Sequence, residues 1–397
     1  MPAEITSKQA FRIGSIDLLR GTVMIIMALD HVRDYFHADS FMYDPLDLEK
    51  TSPFLFFTRW ITHFCAPVFV FLAGTSGFLS GQKKTKKELC WFLLTRGLWL
   101  IILECTVINF AWAFNISLPM IPLTVIWALG IGMVSLSVLI FLPRSLILVI
   151  GIILVGGHNL LDPIHVQEEG PKKFFWSLLH EPGMFVVGGK NIFVGYPVIS
   201  WIGLMALGYS FGQLYTPRFD AQKRKRILII MGVSAIFLFI ILRSFNIYGD
   251  SAHWSKQSSP LFSFFSFIKT TKYPPSLLYM LMTIGPALLF LAFTERPLSR
   301  LGRIVSVYGR VPFFYYLLHI YIIHLLAMFA AEFSNKDWTD MIISFWVSFD
   351  PQLQGYGFDL WVTYAVWIVV VVGLYPLCKW YDRYKTNNRH KKWLSYL

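Results

Sequence analysis

The most regular feature of this sequence is a series of long apolar runs separated by short polar or basic segments. About 20 apolar residues in a helix cross the roughly 30 Å of hydrocarbon in a bilayer. Runs of about this length begin and end near residues 14–36, 53–80, 89–111, 120–141, 145–161, 196–215, 227–246, 276–294, 311–332 and 359–380. The pattern therefore predicts an all-α, polytopic integral membrane protein with about ten transmembrane helices.

Composition agrees with this prediction, since 55% of the residues are hydrophobic and only 15% are charged. A bundle of spans that share one core forms one domain at any length, so residues 1–397 are predicted to form a single transmembrane domain. Its first span is 14–36, its last span is 359–380, and residues 381–397 form a basic tail.

Charge is distributed unevenly between the segments that connect the spans. With a cytoplasmic N-terminus, most Lys and Arg fall on the cytoplasmic side, and the acidic segments, such as FHADSFMYDPLDLEK, fall outside. Both termini are therefore predicted to be cytoplasmic, in the plasma or inner membrane of a cell. The net charge of +12 follows from this topology. A nucleic-acid partner is not expected, because the basic residues lie between apolar runs and do not form one basic face.

Three longer external segments, 162–195, 247–275 and 333–358, contain many aromatic residues together with Pro and Gly. This composition is typical of segments at the membrane–water interface. We expect them to form interfacial caps on the bundle and not folded domains of their own.

The first span contains several ionisable residues, and each costs roughly 2.5 kcal/mol or more at the centre of a bilayer. Asp17 and Arg20 lie in its first half, and Asp30, His31 and Asp34 lie towards its other end. Arg20 and His31 are eleven positions apart, so a helix separates them by roughly 16 Å and turns them only about 20° from a common face. One cavity wall is predicted to carry both. The structural alternative is an Asp17–Arg20 ion pair at the helix start, with Asp30 and Asp34 marking its outer end.

Other spans also contain polar residues that require an explanation. Arg59 and His63 are one helical turn apart and are predicted to approach His31. Glu104 is expected to pair with a basic group such as Arg59 or to be protonated. His319 is predicted near mid-membrane. Each has a structural alternative, because Arg59 can lie among lipid headgroups and buried polar side chains often make contacts between helices.

Several common catalytic motifs are absent from the sequence, including HExxH, CxxC, GxSxG and the phosphate-binding P-loop. The histidines do not have metal-ligand spacing, so no metal is predicted.

Three segments carry a resemblance to a known family: SIDLLRGTVMIIMALDH, APVFVFLAGTSGF and GRVPFFYYLLH. Together they resemble the transmembrane acyltransferase superfamily, and in particular bacterial relatives of heparan-α-glucosaminide N-acetyltransferase (domain of unknown function 1624). The third segment is similar to the Gly-Arg…Tyr-Leu-x-His element of sugar O-acyltransferases.

The resemblance implies an acyltransferase. It would take an acyl group, here expected to be acetyl, from cytosolic acyl-CoA and deliver it to an amine or hydroxyl of a sugar at the external face. Arg20, with Asp17, would bind the acyl-CoA phosphates, and His31 would act as general base with Asp30 or Asp34 orienting its ring. Acceptor binding is assigned to Arg59, Asp34, Glu104 and His319.

The identity of the base stays open between two histidines at this stage. In the lysosomal member of the family, the active histidine lies beyond the first span, and an asparagine occupies the position spaced from arginine as His31 is here. His37 lies in the external loop and is the second candidate, and His63 is a third.

A proton-coupled transporter, or a flippase of a small or lipid-linked substrate, is the alternative function, because polar groups in a helical bundle also occur in carriers. The expected partners are membrane lipids, acyl-CoA and a sugar or glycan, with a homodimer as one oligomeric state.

Overall fold

The fold is mostly helical, as predicted, and is described by a computed structural model for residues 13–334, 336–388 and 390–395. The α-helices are α1 Gly14–Phe36, α2 Pro53–Thr62, α3 Cys65–Gly81, α4 Lys86–Leu103, α5 Asn109–Ala113, α6 Val125–Leu139, α7 Arg144–Gly157, α8 Pro171–Leu179, α9 Ile199–Phe211, α10 Ala221–Phe245, α11 Pro260–Ile268, α12 Leu277–Thr294, α13 Arg300–Arg310, α14 Pro312–Ala331 and α15 Leu360–Asn387. The strands are β1 Met120–Leu123, β2 Gly183–Val187 and β3 Lys190–Val194.

Each of the ten predicted runs contains one or two of these helices. Within the described residues, seven helical segments are long and apolar enough to cross a membrane: Pro53–Gly81, Lys86–Ala113, Arg144–Leu161, Ala221–Phe245, Leu277–Thr294, Pro312–Ala331 and Leu360–Asn387. The remaining three runs correspond to α1, which has several charged residues, and to α6 and α9, which have 15 and 13 residues. The architecture is that of a multi-pass membrane protein.

Helix α1 matches its predicted bounds, whereas the last helix continues beyond its predicted end. α15 extends to Asn387, so the first part of the predicted basic tail is helical. Because Lys379, Arg383 and Lys385 are good helix formers that can remain solvated, their charge does not end the helix at residue 380.

A small β-sheet is the main departure from the all-α prediction. Strand β1 occupies the start of the run predicted as a span over 120–141, and it pairs in parallel with β3, which pairs antiparallel with β2. Leu123, Phe185 and Val194 form a separate small core beneath this sheet. The segment 162–195 is therefore a folded unit, and not only an interfacial cap. The β1–β3 pairing joins segments distant in sequence, so periodicity within one segment does not reveal it, whereas β2 and β3 form a local hairpin across Gly188 and Gly189, a turn signal present in the sequence.

Several helix pairs approach each other closely where glycines meet. A Cβ on Gly21 of α1 would lie 2.1 Å from the Val305 carbonyl oxygen, and one on Gly309 of α13 would lie 1.9 Å from the Asp17 carbonyl oxygen. Similar glycine contacts join α3 to α9, α4 to α6 and α10 to α12. Small residues allow this packing in membranes, where van der Waals contact drives helix association.

Two helical irregularities interrupt the second and third predicted spans. The second predicted span is broken after Thr62, and α3 starts at Cys65. After α4 the backbone forms a π-helical turn over Glu104–Ile108 before α5 begins. π-helical turns are often found at functional sites.

Candidate active site

Two cavities lie one after the other along α1. Each is named after a polar side chain in its wall, His31 or Arg20. The His31 cavity has a volume of about 480 Å³ and the Arg20 cavity about 300 Å³. Polar and aromatic residues of the His31 cavity include Asp30, His31, Arg33, Asp34, Arg59, Trp112, Thr124, Tyr196, Lys272, Tyr273, Tyr316 and Trp346. Those of the Arg20 cavity include Arg20, Ser76, Phe92, Arg96, Trp99, Arg310, Tyr316 and Lys385. The sequence predicted one cavity wall that carries both Arg20 and His31, whereas the structure places them along one helix in two adjoining cavities.

A single layer of side chains lies between the two cavities. Met27, Phe69, Val125 and Tyr316 line both of them. Because these residues come from α1, α3, α6 and α14, the layer is formed only when four helices assemble. A molecule in one cavity can therefore approach a molecule in the other across one side-chain thickness.

The ring of His31 makes a hydrogen bond to a second histidine. His31 Nδ1 lies 2.7 Å from His319 Nε2, and His319 Nδ1 lies 2.8 Å from the Tyr315 carbonyl oxygen. A carbonyl only accepts, so the His319 Nδ1 must carry a hydrogen, and its Nε2 accepts in the neutral ring. His31 Nδ1 is then the donor. The lone pair of His31 is thereby placed on Nε2, the nitrogen that a general base would use.

The carboxylates beside His31 interact with arginines. Asp30 lies 2.9 Å from Arg33 Nη1 and 2.6 Å from Arg59 Nη1, and Asp34 lies 2.5 Å from Arg33 Nη2. The orienting partner of the His31 ring is therefore His319, and not Asp30 or Asp34 as expected from the sequence. Opposite charges in this network offset one another at the cavity wall, although Asp30 Oδ1, Arg33 Nε and Arg33 Nη1 have no hydrogen-bond partner among the described residues.

Arg20 is largely buried at the crossing of α1 and α13. Its Nη1 donates to the Gly309 carbonyl at 3.0 Å and lies 3.4 Å from Asp17, and its Nη2 donates to Ser76 Oγ at 3.1 Å. The predicted Asp17–Arg20 ion pair is present. It accounts for only part of the environment of Arg20, because the guanidinium also reaches two other helices and lines a cavity.

Arg310, the residue after Gly309, adds a further positive charge to this cavity. Its side chain pairs with Asp382 of α15, with Nε 2.9 Å from the carboxylate oxygen. Arg310 lies in the GRVPFFYYLLH segment, which brings it to the same end of the bundle as Arg20.

The other two candidate histidines lie outside the residues that line these cavities. His37 Nδ1 is 3.1 Å from the Phe358 carbonyl oxygen, and the pKa of His37 is lowered chiefly by burial. His63 is buried where α2 ends, and its own carbonyl accepts a hydrogen bond from the Tyr279 hydroxyl at 2.8 Å. Among the described residues, no hydrogen bond or ring contact joins His63 to His31, so the predicted approach of His63 to His31 is not observed.

Glu104 lies behind the wall of the His31 cavity. Its carboxylate accepts hydrogen bonds from the Thr124 backbone N–H at 2.9 Å and from the Thr124 hydroxyl. Arg59 binds Asp30, so the expected Glu104–Arg59 pair does not form. Since Thr124 lines the cavity, the effect of Glu104 is to fix that part of its wall.

Several residues of the two cavities were not singled out in the sequence. Tyr316, Trp112 and Lys272 line the His31 cavity, and Lys385 lines the Arg20 cavity. Tyr316 lies three residues before His319 in the resemblance segment, which was the available signal for it. For Lys272 and Lys385 the sequence offers no comparable signal, because basic residues outside the apolar runs are already explained by the membrane topology. Within the described residues, no group of three or more His, Cys, Asp or Glu side chains could hold a metal ion.

The fold and these cavities define a multi-pass helical membrane protein whose first helix places a histidine and an arginine in adjoining cavities. The family described as heparan-alpha-glucosaminide N-acetyltransferase, catalytic, matches residues 12–248, which is more than half of the chain. The chain belongs to this family of membrane acetyltransferases, as its sequence segments had suggested. No curated protein matches the chain. Tyr316 and Arg310, which line these cavities, and His319, which contacts His31, lie beyond the matched segment.

Proposed function

We propose that this protein transfers an acetyl group from cytosolic acetyl-CoA to an amine or hydroxyl of a sugar on the opposite side of the membrane. The observation that carries the proposal is the pair of cavities along α1, separated by one layer of side chains. Such an arrangement allows a donor and an acceptor to meet without either crossing the bilayer.

The Arg20 cavity is suited to the donor. Arg20, Arg96, Arg310 and Lys385 place four positive charges around it. Guanidinium groups bind phosphates through paired hydrogen bonds, and lysine adds a point charge. The phosphates of acetyl-CoA would bind here, with Arg20 held in position by Ser76, Asp17 and the Gly309 carbonyl.

The His31 cavity is suited to a sugar acceptor. Its aromatic side chains offer flat apolar surfaces, and its charged network offers donors and acceptors for hydroxyl groups. Arg59 and Asp34 would bind the acceptor, while Glu104 would act indirectly through Thr124, and His319 through His31.

His31 is the general base in this proposal. Its Nε2 takes the proton from the acceptor nitrogen or oxygen, which attacks the thioester carbonyl carbon. The carbon–sulfur bond then breaks, and the proton passes to the leaving thiolate. His319 holds the His31 ring in the tautomer that this step requires.

This function also requires a particular topology. We propose ten spans in one domain over residues 1–397, with both termini and the Arg20 cavity on the cytoplasmic side of a plasma or inner membrane. The basic segments around Lys83 to Lys87 and Lys223 to Arg226 support this orientation.

Purified protein in liposomes tests the proposal directly. With labelled acetyl-CoA on the Arg20 side and glucosamine-type acceptors on the other, label should appear in the acceptor as a stable amide or ester. His31→Ala should abolish most of this transfer. A labelled acceptor that crosses the membrane unacetylated, with no acetyl transfer, would contradict the proposal and support a transporter.

A further inference from the structure

The side-chain layer between the cavities has an unusual composition for a place where a thioester would react. Met27, Phe69 and Val125 have no hydrogen-bond donor in their side chains. Tyr316 is the fourth member, and its phenol is the single donor that the four side chains provide. A carbonyl oxygen that develops negative charge at this layer therefore has Tyr316 as its available partner within the layer.

Tyr316 also lies close to His31, the proposed general base. The ring centroids of Tyr316 and His31 lie 6.2 Å apart, with the planes at 77°. The tyrosine is buried, with 4% of its surface exposed. Both residues line the His31 cavity.

The hydroxyl of Tyr316 is available as a donor. Trp112 also lines the His31 cavity, but its indole N–H can only donate, so it cannot accept the Tyr316 hydroxyl hydrogen. Neighbouring tyrosines use their hydroxyls differently. Tyr321 donates to the Val107 carbonyl at 3.1 Å, and Tyr308 donates to the Val371 carbonyl at 2.8 Å. Among the described residues, no acceptor takes the hydroxyl hydrogen of Tyr316.

We propose that Tyr316 is a catalytic residue that donates a hydrogen bond to the acyl carbonyl oxygen during transfer. The inference rests on the proposed function. As the acceptor attacks the carbonyl carbon, the π electrons of the C=O bond move to the oxygen, where the Tyr316 O–H stabilises them. His31 Nε2 takes the acceptor proton. When the C=O bond re-forms, the carbon–sulfur bond breaks, and the thiolate leaves with the proton from His31.

The effect on rate is expected to be large, because a preorganised donor in a site that excludes water stabilises the transition state more than the ground state. Tyr316→Phe keeps the ring and the layer between the cavities but removes the donor. Its kcat should fall about a hundredfold, the usual effect of losing one oxyanion donor. Its dissociation constant for acetyl-CoA should stay within about twofold of wild type, since the phosphates bind at the other end of the Arg20 cavity.

Tyr321→Phe is the matched control, because it makes the same change on the same helix, α14, away from both cavities. It should keep kcat within about twofold. Tyr316→His restores an N–H donor and should be at least fivefold faster than Tyr316→Phe, with both rates taken per molecule that binds acetyl-CoA, so that a poorly folded fraction does not enter the comparison. Full kcat in a folded Tyr316→Phe protein, or no gain from histidine, would overturn the role of Tyr316. His31→Ala would still be inactive in that case, whereas failure of the proposed function would leave wild type without transfer.

Discussion

At the scale of single residues, the chemistry of His31 depends on a partner that lies 288 positions away in the sequence. The Tyr315 carbonyl sets the tautomer of His319, and His319 sets that of His31. The neighbouring Asp30 is held by two arginines, so it does not compete for the imidazole N–H. A carbonyl at the end of the chain of hydrogen bonds therefore determines which His31 nitrogen keeps its lone pair.

The two histidines near the end of α1 should respond differently to mutation. His31→Ala removes the proposed base, so kcat should fall by about a hundredfold or more, with acetyl-CoA binding unchanged. His37→Ala is the control and should keep most of the activity, because His37 contacts the Phe358 carbonyl outside both cavities. Steady-state transfer assays and acetyl-CoA binding measure these effects. Loss of transfer in His37→Ala with activity retained in His31→Ala would identify the loop residue as the base.

A lysine substitution at Arg20 tests whether donor binding requires the paired hydrogen bonds of a guanidinium or only a positive charge. Arg20→Lys keeps the positive charge. The lysine ammonium, however, lacks the planar guanidinium that donates to Gly309 and Ser76 and offers paired hydrogen bonds to a phosphate. Loss of one charge-assisted hydrogen bond costs roughly 1.5 kcal/mol, so the dissociation constant for acetyl-CoA should rise about tenfold. Arg226→Lys, on an exposed part of α10, should leave it unchanged. Equal affinity of Arg20→Lys and wild type in a binding titration would exclude Arg20 from the donor site.

At the scale of elements, α1 contributes residues to the walls of both cavities, and its contact with α13 fixes its position. The helices cross at Gly21 and Gly309, and the carbonyl of Gly309 also accepts from Arg20. Packing and the proposed donor site therefore depend on the same contact. Any change that separates α1 from α13 should affect both stability and activity.

A methyl group at this crossing tests that dependence. Gly309→Ala would place a Cβ against the Asp17 backbone, and overpacking of this kind costs about 1–3 kcal/mol. The variant should have a lower unfolding temperature in detergent and weaker acetyl-CoA binding. Gly373→Ala in α15 is the control, because a Cβ there meets no atom within 4 Å and alanine favours the helix. Equal unfolding temperatures for the two variants would show that the crossing tolerates separation.

At the scale of the whole molecule, the two ends of the bundle differ. The Arg20 cavity is lined by three arginines and a lysine, and the lining of the His31 cavity includes Phe193 of β3 and Trp346 of the segment after α14. A bundle with such different ends can face a donor on one side and an acceptor on the other. The proposed reaction therefore depends on orientation in the membrane.

Cysteine labelling in intact cells measures this orientation. Asp44 is exposed in the segment after α1, and Lys83 is exposed between α3 and α4. An impermeant thiol reagent should label Asp44→Cys above the background of the unsubstituted chain, and Lys83→Cys only after the membrane is opened. The reverse pattern would invert the topology and place the Arg20 cavity away from cytosolic acetyl-CoA.

The sequence by itself determined the helical membrane architecture, because spacing and length of apolar runs depend only on bilayer thickness and helix rise. It also determined that Arg20 and His31 lie along one helix, since both lie in one unbroken span. The family followed from three local segments, and the matched region confirms it.

Only the tertiary structure decided which residues meet across helices. The His31–His319 pair, the Asp30–Arg59 pair and the shared layer that includes Tyr316 join segments that are distant in sequence. The break after Thr62 and the pairing of β1 with β3 likewise depend on contacts that no local pattern encodes. The periodicity of apolar residues indicates which face of a segment contacts lipid, water or protein. The partners of a buried polar group, in contrast, are determined by the packing of the whole bundle.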